Sequence, residues 1–233
     1  MWAALARRLK LARDPFCVPS FAQEGEDRIL WRLTEPERDG FYVDVGAHHP
    51  RRYSNTYLFY LHGWRGINID PDPEAAALFA RERPRDIHVG MGISDEPGTL
   101  TYHRFDEPAL NTFDQALAEK RARLGRYRRL PSMQVRVARL SEVLSEHLPT
   151  ARRITFLSVD AEGYDARVLR SNDWVRFRPR FVVAESLEST LDSLAGDKAC
   201  AFLRSVGYVP LAKTMNSVVY CERAEAAAAN TSA

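Results

Sequence analysis

The sequence predicts an α/β fold with a mostly parallel central sheet and helices on both faces. Short apolar runs alternate with amphipathic segments along the chain, which is typical of parallel strands joined by helices. Four of these runs carry an acid at or near their carboxyl end, namely Asp44, Asp70, Asp160 and Glu185. Because the carboxyl ends of parallel strands lie at one edge of a sheet, the four acids should converge on one cleft.

Length and composition are those of one large globular domain. The chain has 233 residues, of which 45% are hydrophobic and 27% charged, with a net charge of +2. Such a small net charge gives no reason to expect a nucleic-acid partner. Cys17, Cys200 and Cys221 are odd in number and lack CxxC spacing, so we expect neither a disulfide framework nor a zinc site, and we expect a reducing, cytoplasmic location. No apolar run is long enough to predict a transmembrane helix.

The two ends of the chain differ from its middle. Residues 1–17 are predicted to contain a basic amphipathic helix, which could lie on an anionic membrane surface, pack against a partner in a homodimer, or dock on its own domain. Residues 18–223 form the predicted domain. Residues 224–233 have low complexity and are predicted to be disordered.

Residues 41–50 read FYVDVGAHHP and are the segment around which the prediction is organised. The apolar run predicts a strand buried on both faces, and Gly46 ends it with a sharp turn that would also let a ligand come close. Asp44 lies inside the apolar run, where a carboxylate is costly unless something satisfies it. A strand followed by a glycine turn and a helix is how open α/β sheets hold an adenosine-containing cofactor.

Asp70 is the second predicted cofactor residue. It closes the next short strand, 70 − 46 = 24 residues beyond the glycine, and an acid at about this spacing accepts the ribose hydroxyls in nucleotide-binding folds. The dinucleotide fingerprint GxGxxG is missing, because His48 and Pro50 stand where it needs glycines. This loop is closer to S-adenosylmethionine binding than to NAD binding.

Local signals set the remaining elements. Ser54 to Thr56 can cap a helix, Pro73 suits the first turn of another, and Pro97 with Gly98 predicts a turn into a β-ribbon. The helices are predicted at 57–62, 73–80, 141–148, 165–170 and 197–206. The strands after Asp70 are predicted at 87–91, 98–102, 134–139, 154–160, 181–185 and 218–221.

The stretch 104–133 is predicted to be an insertion on the substrate side of the domain. It is rich in charge and contains five arginines: Arg121, Arg123, Arg126, Arg128 and Arg129. An insertion of this length is usually a lid or a binding loop, and its basic character suits an acidic or phosphate-bearing acceptor. A solvated helix face is the alternative interpretation.

The acids and histidines near the strand ends suggest chemistry. Asp160 and Glu185, with Glu162 nearby, could hold Mg²⁺ or Mn²⁺ through oxygen ligands, or one of them could act as a general base. His48 and His49 follow the glycine loop directly and are also candidate bases. Their spacing does not match a metal-binding motif.

Taken together, five motifs resemble the FkbM-type methyltransferases. They are SFAQEGED at 20–27, VDVGAHHP at 43–50, GWRGINIDP at 63–71, GISD at 92–95 with Gly98, and SVDAEGYD at 158–165. The resemblance implies a class I methyltransferase (Rossmann-like) fold, S-adenosylmethionine as methyl donor, and O-methylation of a sugar, a nucleotide-linked sugar, or a related small polyol or polyketide.

The resemblance and the residue patterns together give a set of predicted site residues. Those for the cofactor are Gln23, Glu26, Asp44, Gly46, Asn55, Asp70 and Ser94. Those for the acceptor are Asn111, Thr112, Arg126 and Glu162, and those for catalysis are His48, His49 and Asp160, with Asp160 and Glu185 as metal ligands. An NAD-dependent oxidoreductase and a non-catalytic domain that keeps the fold to bind a partner are the alternative functions.

Overall fold

A computed structural model describes residues 14–35, 37–187, 189–224 and 226. Most of the predicted N-terminal helix therefore lies outside the described residues. Of the predicted disordered tail, Ala224 is helical and Ala226 packs against the core, while the other residues lie outside the described part.

The centre of the protein is a seven-stranded sheet in the order β3-β2-β1-β7-β8-β10-β9. The strands from β3 to β8 in that order are all parallel, whereas β10 runs antiparallel to both of its neighbours. Their bounds are Phe41–Val45 (β1), Arg65–Ile69 (β2), Ile87–Val89 (β3), Phe156–Val159 (β7), Phe181–Glu185 (β8), Tyr208–Lys213 (β9) and Ser217–Glu222 (β10). The predicted mostly parallel sheet is confirmed.

Side chains alternate between the two faces of the sheet, so each face has its own hydrophobic core. In β1, Phe41, Val43 and Val45 enter one core, whereas Tyr42 enters the other. The helices are Glu26–Thr34 (α1), Tyr57–Leu61 (α2), Pro73–Glu82 (α3), Gln115–Arg123 (α4), Leu140–His147 (α5), Asp165–Arg170 (α6) and Lys198–Ser205 (α7). Helices α5, α6 and α7 cover the first face and α1 and α2 the second, so the predicted helices on both faces are also confirmed.

A second, three-stranded sheet lies beside the first. It consists of Gly92–Ile93 (β4), Gly98–Phe105 (β5) and Arg129–Ala138 (β6), in the order β4-β6-β5. Strands β5 and β6 pair antiparallel from Gly98 with Val137 to Phe105 with Arg129. Residues 104–105 and 129–133, at the two ends of the predicted insertion, continue the two strands of a long hairpin. Its middle contains a 3₁₀ turn at Pro108–Leu110 and helix α4.

Strand β9 has no counterpart among the predicted elements. Pro210 interrupts its apolar pattern, and proline cannot donate a hydrogen bond to a neighbouring strand. The structure resolves this conflict by placing β9 at the edge of the sheet, where it pairs only with β10.

Two composition-based expectations can be compared with the structure. In the described part of the chain, no helix has the length and apolar character needed to cross a membrane. Cys17, Cys200 and Cys221, all of them described, form no disulfide.

Candidate active site

A deep cleft opens at the carboxyl edge of the parallel strands, between the main sheet and the β5–β6 hairpin. It encloses about 880 Å³, counting the open space at its mouth. Of the predicted site residues, its walls include Gln23, Asp44, Gly46, His48, Asn55, Asp70, Asn111, Thr112, Asp160 and Glu162.

Gly46 forms the tight turn after β1. Its φ is +79°, and its amide donates to the carbonyl of Ile69 at 2.9 Å. A Cβ at this position would lie 1.8 Å from the carbonyl oxygen of Asp160. A glycine is needed here for two reasons: its φ is positive, and the loop crosses the end of β7 so closely that a side chain would not fit. It lets two strand ends come together at the base of the cleft.

Asp70 follows β2 and is buried. One carboxylate oxygen accepts from the amide of His48 and the other from the amide of Asp72, each at 2.8 Å. Burial raises the pKa of Asp70 to about 6, and the two amide hydrogen bonds oppose that rise. Each carboxylate oxygen keeps a further lone pair. Asp70 can therefore accept hydroxyl groups of a ligand while the loop holds it in place.

Asp44 lies within β1 and is buried as well. Its Oδ2 accepts from the Thr56 hydroxyl at 3.0 Å, and the Ser158 hydroxyl also hydrogen-bonds it. Ser158 in turn accepts from the Asn55 amide at 3.1 Å. Burial raises the pKa of Asp44, while the nearby Arg83 guanidinium lowers it. The predicted need for partners around this strand acid is met by hydroxyl groups and a buried cation.

Three carboxylates cluster at the other end of the cleft. Asp160, Glu162 and Glu185 each offer an oxygen, and these oxygens lie within 4.8 Å of one another. Asp160 is open to the cleft, but the cleft walls exclude much of its water. This loss of hydration, together with the neighbouring Glu162, raises the pKa of Asp160, and loss of hydration together with Asp160 raises that of Glu185. The cluster can share a proton or hold a cation.

Arg121 is the positive charge of this cluster. It extends from α4, where it ion-pairs with Glu162 and donates to the carbonyl of Leu110 at 2.7 Å. Its presence lowers the pKa of Glu162, against the larger effect of burial. The protein itself therefore supplies part of the compensation that the three acids require.

The two predicted histidines differ in position. His48 lines the cleft, its φ is +49°, and its Nε2 is buried with no hydrogen-bond partner among the described residues. Burial lowers its pKa to about 4, so His48 is a weak base. His49 is not among the cleft residues, and its Nδ1 accepts from the amides of Arg51 and Arg52 at 3.0 and 3.1 Å. The structure thus gives no support for His49 as the catalytic base.

The segment before α1 lies against the cleft, but not all of it reaches the interior. Gln23 lines the wall. Glu26, predicted for the cofactor, instead accepts from the hydroxyl of Thr214 at 3.3 Å, and Glu24 accepts from the amide of Asn216 at 2.8 Å. These bonds connect the segment to the β9–β10 turn, so Glu26 holds the wall together rather than lining it.

Ser94 and Arg126 also lie away from the cleft wall. Ser94 is buried beside β4, where its amide donates to Ala138 at 3.0 Å. Arg126 is exposed and lies over the ring of Tyr127, at 5.4 Å from its centroid. The predicted acceptor role of Arg126 is therefore not supported by its position, and Arg121 is the arginine of this stretch that contacts the cleft residue Glu162.

Asn111 and Thr112 do lie at the cleft, on the loop that precedes α4. The Asn111 side chain accepts from the amide of Phe105 at 2.9 Å, and the Thr112 hydroxyl donates to the carbonyl of Glu162 at 2.7 Å. They connect the hairpin to the loop that carries the acids. Both therefore shape the wall of the cleft on the side of the hairpin.

Several cleft residues were not predicted, including Tyr53, Tyr102, Phe113 and Ser158. Ser158 had a sequence signal, because residues two apart in a strand face the same side and Asp160 was already a candidate. Tyr102 and Phe113 belong to the hairpin, whose position over the main sheet has no local signal.

The polar groups of the cleft fit S-adenosylmethionine. Asp70 offers carboxylate oxygens for a ribose, Asp44 offers a second carboxylate for a cationic group, and His48 offers a buried nitrogen that has no other partner. Tyr53, Tyr102 and Phe113 supply aromatic surface for an adenine ring.

Solved structures with a similar chain path include three methyltransferases. The precorrin-6y C5,15-methyltransferase of Geobacter metallireducens is 12% identical, with 88% of this chain and 93% of that chain covered and a TM-score of 0.44. The 1,6-didemethyltoxoflavin-N1-methyltransferase of Burkholderia thailandensis, solved with S-adenosylhomocysteine, is 16% identical, with 95% and 88% covered and a TM-score of 0.43. The O-methyltransferase TomG of Streptomyces achromogenes, solved with S-adenosylmethionine, is 13% identical, with 94% and 89% covered and a TM-score of 0.41.

No curated protein matches this sequence significantly. The family described as the methyltransferase FkbM domain matches residues 44–210, a range that begins at the strand acid of β1 and ends in β9. This match spans most of the chain and includes both predicted cofactor acids and the acid cluster, and it shows that the protein belongs to the FkbM methyltransferase family.

Proposed function

We propose that the protein is an S-adenosylmethionine-dependent O-methyltransferase that acts on a hydroxyl of a sugar, a nucleotide-linked sugar, or a related small polyol or polyketide. One observation carries the proposal: Asp44, Gly46 and Asp70 share a cleft with Asp160 and Glu162, whose carboxylate oxygens lie within 4.8 Å of one of Glu185. One end of the cleft thus has groups suited to a nucleoside, and the other has groups suited to removing a proton. Membership of the FkbM family supports the methyltransferase assignment.

The half of the cleft around Asp44 and Asp70 would hold the cofactor. S-adenosylmethionine supplies an activated methyl group when bound. Asp70 would accept the ribose hydroxyls, and Asp44 would face the ammonium of the methionine part. Gly46 keeps this floor compact by letting the loop cross the end of β7. These residues contribute position and charge, since the reactive group belongs to the cofactor.

The acid cluster would receive the acceptor hydroxyl. Transfer of a methyl group to a hydroxyl oxygen requires loss of its proton, and a carboxylate with a raised pKa is a suitable base. Asp160 and Glu162 both line the cleft, but Glu162 is ion-paired with Arg121, whereas an oxygen of Glu185 lies within 4.8 Å of one of Asp160. We therefore assign proton removal to Asp160, with Glu185 sharing the proton.

A divalent cation is the alternative for the same three acids. Mg²⁺ or Mn²⁺ would relieve the repulsion between Asp160 and Glu185 and lower the pKa of a bound hydroxyl. Arg121 already supplies one positive charge at Glu162, which reduces the repulsion that a metal would have to relieve. This supports the metal-free route.

Methyl transfer to a panel of acceptors tests the proposal. Purified protein is incubated with S-adenosylmethionine labelled in its methyl group and with sugar nucleotides, free sugars and polyols. We expect label in at least one hydroxyl-bearing acceptor, and loss of that product in Asp160→Asn. Oxidation of an acceptor with NAD instead would establish the oxidoreductase alternative. Cofactor binding without transfer to any acceptor of the panel would count against this acceptor class and leave the non-catalytic alternative.

Chelation decides between the two routes for the proton. On the metal-free route, protein dialysed against EDTA keeps its activity, whereas Asp160→Asn loses at least about a hundredfold in kcat, as is usual when a general base is removed. Activity that disappears on chelation and returns with Mg²⁺ or Mn²⁺ would show that the cluster binds metal. Retention of activity in Asp160→Asn with loss in His49→Ala would move the base to the histidine.

The cytoplasmic location and the homodimer remain predictions from the sequence.

A further inference from the structure

Below the cofactor end of the cleft lies a buried cation that the proposed chemistry does not use. Arg83 follows α3, and its side chain is fully buried together with that of Asp86. Its Nε donates to Asp86 at 2.7 Å, and its Nη2 donates to the hydroxyl of Tyr42 at 2.9 Å. An arginine so fully removed from water requires a partner for nearly every N–H group.

The remaining nitrogen of Arg83 points toward the cofactor cleft. Its Nη1 donates to the hydroxyl of Thr56 at 2.9 Å, and the same hydroxyl lies 3.0 Å from Oδ2 of Asp44. The same nitrogen is also 3.3 Å from the hydroxyl of Ser54 and from the carbonyl of Pro50. Arg83, Thr56 and Asp44 thus form a continuous hydrogen-bonded chain from the core to the cleft.

The direction of this chain is determined by its chemistry. A guanidinium has no acceptor, so the hydroxyl of Thr56 must accept from Arg83. Its single proton is then available to Asp44, and a carboxylate oxygen accepts it far better than an oxygen that is itself protonated. The arrangement therefore favours the ionised form of Asp44 at Oδ2.

We propose that Thr56 is a positioning residue for the cofactor, which transmits the charge of Arg83 to Asp44 so that this carboxylate stays ionised and correctly oriented for the ammonium of the ligand. The inference rests on the proposed function, because it requires a ligand with an ammonium in the cleft. It goes beyond that function by giving a role to two residues that do not line the cleft.

The surroundings of Asp44 show why it would need this support. Asp70 and Asp160 follow the strands on either side of β1, and the charge of Asp44 raises the pKa of both of these carboxyl groups. Asp86 raises the pKa of Asp44 from the core. Burial raises the pKa of Asp44, and of the groups that lower this pKa Arg83 has the largest effect. Thr56 is the hydrogen-bonded connection between them.

Replacement of Thr56 by valine removes the hydroxyl and leaves the shape of the side chain nearly unchanged. The affinities of S-adenosylhomocysteine and 5′-methylthioadenosine are then compared by calorimetry. Both ligands contain the ribose and the adenine, but only the first has the ammonium. We expect Thr56→Val to lower the affinity for S-adenosylhomocysteine about tenfold, because one hydrogen bond to a charged group is lost. Binding of 5′-methylthioadenosine should stay within about twofold.

The pH dependence supplies a second readout. Protonation of Asp44 removes its attraction for the ammonium. The ratio of the affinity for S-adenosylhomocysteine to the affinity for 5′-methylthioadenosine should therefore fall as the pH decreases. Without the hydroxyl of Thr56 the pKa of Asp44 rises, and the fall should begin at a higher pH than in the wild type. Asp70 also titrates near pH 6, but its ribose contact is common to both ligands and cancels in the ratio.

Two further variants serve as controls. Thr56→Ser keeps a hydroxyl and should restore the wild-type ratio. Ser54→Ala removes a neighbouring hydroxyl that contacts Thr56 and Arg83 but has no bond to Asp44. It should therefore lower the thermal stability and leave the ratio unchanged.

The outcomes separate the inference from the function. Suppose that the wild type binds S-adenosylhomocysteine and that Thr56→Val lowers the affinity for both ligands equally, or for neither. Thr56 is then merely structural, and the inference is overturned. If the wild type binds neither ligand, the proposed function itself fails. Substitution of Arg83 is a less informative test, because it would leave Asp86 buried without its charged partner.

Discussion

At the base of the cleft, the missing side chain of Gly46 lets the loop after β1 lie directly on the end of β7. The Cα of this residue faces the carbonyl of Asp160, and its φ is +79°. Two separate constraints thus act on one residue, the backbone conformation and the close contact. Gly63 is a natural comparison, because its φ is +92° but no atom lies within 4 Å of the position that a Cβ would take.

We therefore predict different costs for alanine at the two glycines. Gly63→Ala should lower the free energy of unfolding by about 1–2 kcal/mol, the cost of a left-handed conformation for a residue with a Cβ. Gly46→Ala should cost more than about 3 kcal/mol, because the contact with Asp160 adds to the same penalty. Equilibrium unfolding in urea measures both. Equal losses for the two variants would show that the close contact has no energetic importance.

Sequence reasoning at this scale found the residues whose role follows from their place on a strand or loop. Asp44, Gly46, Asp70 and Asp160 are recognisable because an acid or a glycine interrupts an apolar run. Thr56 and Arg121 could not be recognised in this way, because each contacts a partner more than ten residues away in the chain. Thr56 contacts Asp44, and Arg121 contacts Glu162.

The β5–β6 hairpin and its helix α4 are the elements that complete the acceptor side. Arg121 lies in the last turn of α4 and reaches Glu162, whereas Arg126 follows the helix and is exposed. The arginine-rich composition of this stretch predicted a positive charge on the acceptor side, and Arg121 lies beside the acid cluster. It could not indicate which arginine, because that depends on the rotation of α4 relative to the main sheet.

The two arginines give a matched pair of variants. Arg121→Gln removes the cation beside the acid cluster, so the pKa of Glu162 and of its neighbours should rise. A base with a higher pKa loses its ionised form at a higher pH, so the rising limb of the pH–rate profile should move to higher pH. We expect the midpoint of the rising limb in the pH profile of kcat to move up by about one pH unit. Arg126→Gln should give the wild-type profile, and identical profiles for both variants would remove Arg121 from the acceptor site.

For the whole molecule, the topology accounts for the site. Strands β2, β1, β7 and β8 are neighbours and run in parallel, so the acids at Asp70, Asp44, Asp160 and Glu185 follow one another along a single edge. This convergence was predictable from the sequence, since it needs only the order of apolar runs and their parallel direction. The second sheet and the edge strand β9 were not predictable in the same way, because they depend on long-range pairing and on a proline that opposes the local pattern.

Binding of S-adenosylhomocysteine tests the central claim most directly, because it requires the cofactor half of the cleft and no knowledge of the acceptor. Calorimetry at pH 7.5, about 1.5 units above the value near 6 for Asp70, keeps its carboxylate ionised. We predict one site per chain with a dissociation constant in the micromolar range, and at least about tenfold weaker binding to Asp70→Ala, which lacks the acceptor for the ribose hydroxyls. Absence of binding to well-folded wild-type protein, or tight binding of NAD in its place, would contradict the account.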